Sequence, residues 1–248
     1  MTDFLLFTLY APLASWGDIA FGEVRGSWDR PSRSAVLGIL AAALGIDRAD
    51  QAAHDALDGG YGVAVRLDVA GVALVDYHTV QTVSQYAAKR AVGAPRAEML
   101  AAGDQETILS RRTYRQDAVA SVAVWARDGA RWPLQSLAAA LRMPCYVLYA
   151  GRKSNPLGLP VHPIVVAADS LAAAFSLRSE LPPAIARLRS NPDQLSISEV
   201  SHDPCEGFPS GLQALRREVR RDAAANRTRW QFAERVVEVG VIPAGSAA

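Results

Sequence analysis

The order in which periodicity changes between Phe4 and Tyr149 constrains this chain most: strand, helix, strand, strand, helix, strand. Phe4–Tyr10 is an apolar run closed by Pro12 and reads as a buried strand. Ala35–Ala43 is an almost wholly apolar helix. Ser32 or Ser34 can cap it, Pro31 stops it extending backward, and Gly45 ends it. A polar helix follows near Arg48–Leu57, broken by Gly59-Gly60. Tyr61–Val69 sets Val63, Val65, Leu67 and Val69 on one face, and Val72–Val80 reads as a second strand. With Gly71 at the turn, these two are expected to form a hairpin. Asp117–Ala126 is the next strand and Pro133–Leu141 an amphipathic helix with proline in its first turn. Cys145–Tyr149 closes the series as an apolar strand, with Cys145 a small core residue. This order is the split βαβ pattern of a ferredoxin-like fold, a topology that RNA-recognition sheets share. The expected class is α+β.

Two stretches fall outside that pattern. Gln81–Gln116 is polar, contains Gly93, Pro95 and Gly103, and carries six basic residues against three acidic ones. It is expected to project as a long excursion, too polar to bury a core of its own. From Val161 the composition shifts. Val161–Ala168 reads as a strand, Ala172–Ser176 as a short helix, Arg178–Asn226 as irregular and rich in proline and arginine, and Trp230–Val241 as one or two closing strands. The expected division is a ferredoxin-like domain over 1–160, with the projection at about 81–116, and a smaller β-rich domain over 161–248.

Composition narrows the function classes. The 248 residues carry a net charge of +1, which is no global signature of a polyanion binder. The basic side is nonetheless lopsided, because Lys89 and Lys153 are the only lysines among 26 basic residues. Arginine is the better fork for phosphate and the better stacker on bases, so position has to carry the argument. Cys145 and Cys205 have neither metal-ligand spacing nor a disulfide framework, and no metal or other cofactor is expected. The N-terminus lacks a basic segment before its apolar run, and no apolar run is long enough to span a bilayer. A cytoplasmic protein without membrane contact is expected.

Three clusters could carry chemistry. At the start of the apolar helix, Arg25, Arg30 and Arg33 crowd an end that ordinarily attracts acids, with Ser32 and Ser34 beside free backbone N–H groups. Such an end suits a phosphate, or else the arginines face solvent or pair with Glu23 and Asp29. Arg111-Arg112-Thr113-Tyr114-Arg115 offers a backbone clamp with a stacking platform, or an ordinary exposed hairpin. Gly151-Arg152-Lys153-Ser154 joins a close backbone approach to two cations and a hydroxyl, without the glycine pattern or following helix of a P-loop. His78, in Asp76-Tyr77-His78-Thr79, could be a general base, a stacking side chain or a structural histidine. No second histidine or paired carboxylates lie nearby in sequence, and His162 reads as structural.

Five pieces of the chain resemble a known family in order and spacing. They are Ala14-Ser15-Trp16-Gly17; Pro31-Ser32-Arg33-Ser34 with Leu37-Gly38; Asp76-Tyr77-His78-Thr79-Val80; Glu106-Thr107-Ile108 followed by Ala123-Val124-Trp125; and Gly151-Arg152-Lys153-Ser154 with Pro156-Leu157. Together they resemble the CasD family, the subunits that hold the 5′ handle of the CRISPR RNA in type I-E Cascade complexes. The resemblance implies an arginine-bearing hairpin thumb and a non-catalytic, antiviral role beside a CasC-like backbone subunit and a CasA-like large subunit, with target DNA met only through the complex. It makes Arg25, Arg33, Ser34, His78, Arg111, Arg112, Tyr114, Arg152, Lys153 and Ser154 the candidate RNA-binding residues. Related type I-C subunits cut precursor CRISPR RNA without metal, so a metal-independent endoribonuclease is the alternative. Lys89 and Lys153 lie far from His78 in sequence.

Overall fold

The structure is a computed structural model. It describes all residues except 18–19, 21, 85–94, 102–104, 179–181, 191–198, 227–230 and 244–248. The elements relevant here are β1 (Thr2–Ala14), β2 (Trp16–Gly17), β3 (Val24–Arg25), β4 (Ser27–Trp28), α1 (Arg33–Leu44), α2 (Gln51–Gly60), β5 (Tyr61–Val69), β6 (Val72–Val83), α3 (Arg96–Ala101), β7 (Gln105–Ala126), α4 (Leu134–Arg142), β8 (Ile164–Ala168), α5 (Leu171–Ser176), α6 (Pro183–Ala186), β9 (Glu199–His202), β10 (Gln213–Asn226) and β11 (Gln231–Val241). The class is mixed α+β, with a mostly antiparallel sheet and few helices.

Among the described residues, nine strands share one sheet in the path β10-β11-β9-β5-β7-β1-β8, with β3 and β6 added alongside β7. β1 lies between β7 and β8, antiparallel to both. Both faces of this centre are covered, which explains why Phe4–Tyr10 reads as a continuous apolar run rather than an alternating one. Leu5, Phe7 and Leu9 pack with Val63, Val65, Val122 and Val124 under α1 and α4. Phe4 and Leu6 face the other way, with Ala64, Ala123, Trp125 and the α5 residues Leu171, Ala174 and Phe175. Trp125 sits edge-on to Phe4 and Phe208, at centroid distances of 6.3 and 5.5 Å. Gly62 leaves room for its indole, since a Cβ there would fall 2.0 Å from the ring.

α1 begins and ends as the sequence predicts. Ser32 caps it, its side chain accepting from Ala35 N at 3.2 Å, and Gly45 closes it in the left-handed region at φ 74°. The expected hairpin between 61–69 and 72–80 does not form. β5 and β6 run in the same direction, and both pair antiparallel with the 22-residue β7. Gly71, at φ 66°, is a kink between collinear strands, opposite Asp117 at φ 56°. A Cβ on Gly71 would lie 2.4 Å from Gln116 O, so the close approach of β7 requires glycine. The projection therefore starts at Val72 rather than 81, as a β6–β7 ribbon, and its 85–94 and 102–104 portions lie outside the described residues.

Two further expectations are corrected. Residues 145–149 form no strand, and Cys145 is exposed. The segment instead caps α1, with Cys145 N and Tyr146 N donating to Ala43 O and Ala42 O. The strand beside β1 is β8, so strands from both sides of residue 160 share one sheet. The stretch 178–226 is not all irregular, because it contains β9 and the 14-residue β10, which pairs with β11.

Candidate nucleic-acid interface

The three arginine clusters meet different fates. At the start of α1 the anion that the helix end calls for is supplied by the protein itself. Asp222, on β10, accepts from Arg33 N at 3.0 Å and from Arg235 Nε at 2.6 Å. The Arg33 side chain is only 6% exposed. It donates to Asp203 at 2.9 Å, to Tyr61 O at 3.0 Å, and to both the carboxylate and the carbonyl of Asp58. Burial alone would lower the Arg33 pKa, but Asp203 and Asp58 overcome it and raise it. Arg30 is buried too, forked onto Asp29 at 2.8 and 2.9 Å and reaching Glu199 at 2.8 Å. Ser34 shares a hydrogen bond with the capping Ser32 at 3.0 Å. Every strong donor of the Arg33 side chain is thus occupied inside the protein, which leaves it none for a phosphate, while Ser34 stays partly exposed.

The ribbon base is the opposite case. β7 pairs with β6 through Leu74↔Tyr114, Asp76↔Arg112 and His78↔Ser110, which puts these side chains on one face of the pleat. β3 pairs with β7 from the other side through Arg25↔Arg112. The loop at 149–156 comes to the same place. Gly151, at φ 82°, lies so close to Ser15 O that a Cβ would be 1.8 Å away, and Ser15 Oγ in turn donates to Thr113 O at 3.2 Å. That contact presents Arg152, whose guanidinium lies 4.7 Å from the Tyr114 ring centroid. His78 approaches the same ring, with centroids 6.5 Å apart, and its Nε2 lies 2.8 Å from Asp76 and 3.5 Å from Tyr114 Oη.

The structure thus brings His78, Arg112, Tyr114 and Arg152 together, with Arg25 one strand over and Lys153 and Ser154 exposed on the same loop. Arg111 falls on the opposite face of the ribbon, and Lys89 lies outside the described residues. Asp76 was missed as the partner of His78. The signal was present in Asp76-x-His78, since residues two apart on a strand share a face.

The decisive difference between the clusters is electrostatic. Arg30, Arg33, Arg66, Arg216, Arg217, Arg220 and Arg235 each bind a carboxylate. Arg111, Arg112, Arg115, Arg152 and Lys153 have no ion pair among the described residues. Arg112 Nε, Arg115 Nε and Arg152 Nη1 are moreover buried without an acceptor. A desolvated, unmatched donor is costly, so Arg112 and Arg152, which meet at the His78 face without any carboxylate, mark a surface suited to an anion, whereas Arg115 lies on the opposite face of the ribbon. Among the described residues no group of His, Cys, Asp and Glu could hold a metal ion, and no helix is long and apolar enough to cross a membrane.

Comparison with known proteins identifies the family. A family model described as CRISPR-associated protein (Cas_Cas5) matches residues 4–238. The chain is 34% identical over 169 residues to the CRISPR system Cascade subunit CasD of Escherichia coli (strain K12), covering 65% of itself and 70% of that relative. A solved chain from a CRISPR RNA-guided surveillance complex superposes at a TM-score of 0.58 and 25% identity, over 97% of this chain and 91% of that one. A crystal structure of a Cas protein gives 0.54 and 25%, over 97% and 95%. The expected likeness to CasD is met, and the chain belongs to the CRISPR-associated protein (Cas_Cas5) family.

Proposed function

We propose that this chain is a non-catalytic RNA-binding subunit of a Cascade-type surveillance complex. It holds the repeat-derived 5′ end of a CRISPR RNA at the ribbon base, in a cytoplasmic antiviral assembly with CasC-like and CasA-like neighbours. One observation carries the reading: the arginines of the ribbon base have no ion pair among the described residues, while Arg30 and Arg33 at the start of α1 each pair with two carboxylates. Arg112, Arg152 and Lys153 would take phosphates and the partly exposed His78 a splayed base, with the buried Tyr114 ring beneath Arg152 holding that cation in place. The strand order β8-β1-β7-β5, joined by α1 and α4, supports the ferredoxin-like reading of this part of the chain. The test is a titration with repeat RNA across salt concentrations. Each lost phosphate contact should reduce the slope of log affinity against log salt by about 0.7 for single strands.

A second reading has its own observation. The His78–Asp76 pair at 2.8 Å holds an oriented imidazole beside Tyr114 and two unmatched arginines, which suits a metal-independent ribonuclease. Incubating the protein with repeat RNA in EDTA separates the two readings. Intact RNA supports the binding subunit, and specific scission supports the nuclease.

A further inference from the structure

We propose that the ribbon carries a second base-stacking platform on its opposite face, made by Tyr77 and Arg111. It takes another unpaired nucleotide of the RNA strand held by Tyr114 and Arg152. The proposal rests on the RNA-binding reading and extends it to the far side of the same two strands.

The pleat fixes the geometry. Tyr77 is the direct cross-strand partner of Arg111, with Val75↔Thr113 and Thr79↔Leu109 on either side. These alternate with the pairs that carry Tyr114, Arg112 and His78, so they point away from that cluster. Val24 flanks Arg111 from β3. Tyr77 is 56% exposed, with Val75 and Val24 more than half exposed around it. Arg111 is exposed and has no side-chain partner among the described residues. A tyrosine ring, two valines and an unmatched guanidinium in one open row form an amphipathic patch that water serves poorly.

Charge selects the occupant. Over 73–81 and 107–115, this face carries Arg111 and Arg115 and no acidic residue. The acids of the ribbon, Asp76 and Glu106, alternate onto the other face. Arg115 sits toward the sheet, near the Asp29 carboxyl that, against its burial, Arg30 chiefly holds low, which leaves Arg111 as the outer cation. A ring for a base beside a cation for its phosphate, without a nearby acid, fits a single-stranded polynucleotide. Among the described residues β6 has β7 as its only strand neighbour, so a strand of RNA can pass from one face to the other around that edge.

The experiment uses the full chain and a fluorescein-labelled single-stranded RNA carrying the repeat-derived 5′ sequence. Tyr77→Ala should weaken binding about 5- to 100-fold, the usual effect of losing one stacking ring, and Tyr77→Phe should restore it. Arg111→Ala should weaken binding and flatten the salt dependence. The Tyr77→Ala/Tyr114→Ala double variant should lose the product of the two single effects. Loss with Tyr114→Ala and Arg152→Ala but wild-type affinity in Tyr77→Ala and Arg111→Ala overturns the second platform and leaves the first standing. Wild-type affinity in all four removes the RNA reading itself. Unchanged RNA affinity in Tyr77→Ala with failed assembly into a complex assigns this face to a protein and also overturns the proposal.

Discussion

Replacing Arg33 with alanine should unfold the protein more easily without altering how it meets RNA. The side chain is buried and holds Asp203 at 2.9 Å, Tyr61 O at 3.0 Å and two oxygens of Asp58. Removing one member of a buried ion pair costs about 3–5 kcal/mol, because the remaining charge stays desolvated. Two details place this case at the low end. Asp203 keeps Arg235 at 2.7 Å and Arg127 at 3.6 Å, and the Asp58 side chain is already 40% exposed. A loss of about 3 kcal/mol should lower Tm by about 6–12 °C in a chain of this size. Arg33→Lys should recover only part of it, since an ammonium cannot reach carboxylate and carbonyls together as the planar fork does. Thermal unfolding by circular dichroism measures the shift. An RNA titration run well below the variant's Tm should return the wild-type salt slope. A wild-type Tm combined with weaker RNA binding and a flatter salt slope would show that Arg33 faces phosphate, and the internal assignment would fall.

Arg152→Ala should leave Tm within about 1 °C, as surface changes usually do, while weakening repeat RNA in titration with a reduced salt slope. Gly151→Ala should lose as much affinity with every cation still in place, because its φ of 82° and the Ser15 carbonyl admit no Cβ; full affinity in that variant would mean that the loop does not position Arg152. The hydrogen bonds from Arg216, helped by Arg30, hold the Glu199 carboxyl down from 4.5 to about 2. A carboxyl lowered on folding stabilises the native state above its unfolded value, so this contribution should vanish as pH falls from 4.5 to about 2. Acid unfolding of Glu199→Gln should lack that component, and identical acid profiles would contradict the pairing. His78→Ala should change RNA affinity with no effect on RNA integrity in EDTA, as read on a denaturing gel. Specific wild-type scission abolished in that variant, with binding retained, would establish the nuclease.

Local signals were legible where one residue decides the matter. Ser32, Gly45 and the alternation of β5 mark boundaries correctly because caps and alternation act over a few residues, whereas β1 runs on through Pro12 to Ala14. Partner choice was not legible. Gly71 carries the same positive φ in a tight turn as in a kink between collinear strands, and only the passage of β7 beside it distinguishes the two. Residues 145–147 have the apolar character of a strand yet stay exposed, and the backbone N–H groups of Cys145 and Tyr146 go to the last carbonyls of α1.

The arginines show the same limit at longer range. Cations at a helix start require an anion, and the structure supplies anions there. They come from Asp58, Asp203 and Asp222, the last lying 189 residues from the backbone N–H it accepts. No local pattern could tell a protein carboxylate from a ligand phosphate at that distance. What separates the arginines of the interior network from those proposed to meet RNA is whether the fold supplies them with a carboxylate. By that criterion the candidate surface moves from the start of α1 to the ribbon base, where Arg112 and Arg152 keep buried donors without acceptors. It also follows that substitutions in the two clusters should separate cleanly. Changes around Arg33 should move stability at constant salt slope, and changes around Arg152 should move the salt slope at nearly constant stability. A single variant that moved both equally would show that the interior network and the RNA surface are one coupled unit, which their separate hydrogen-bond partners argue against.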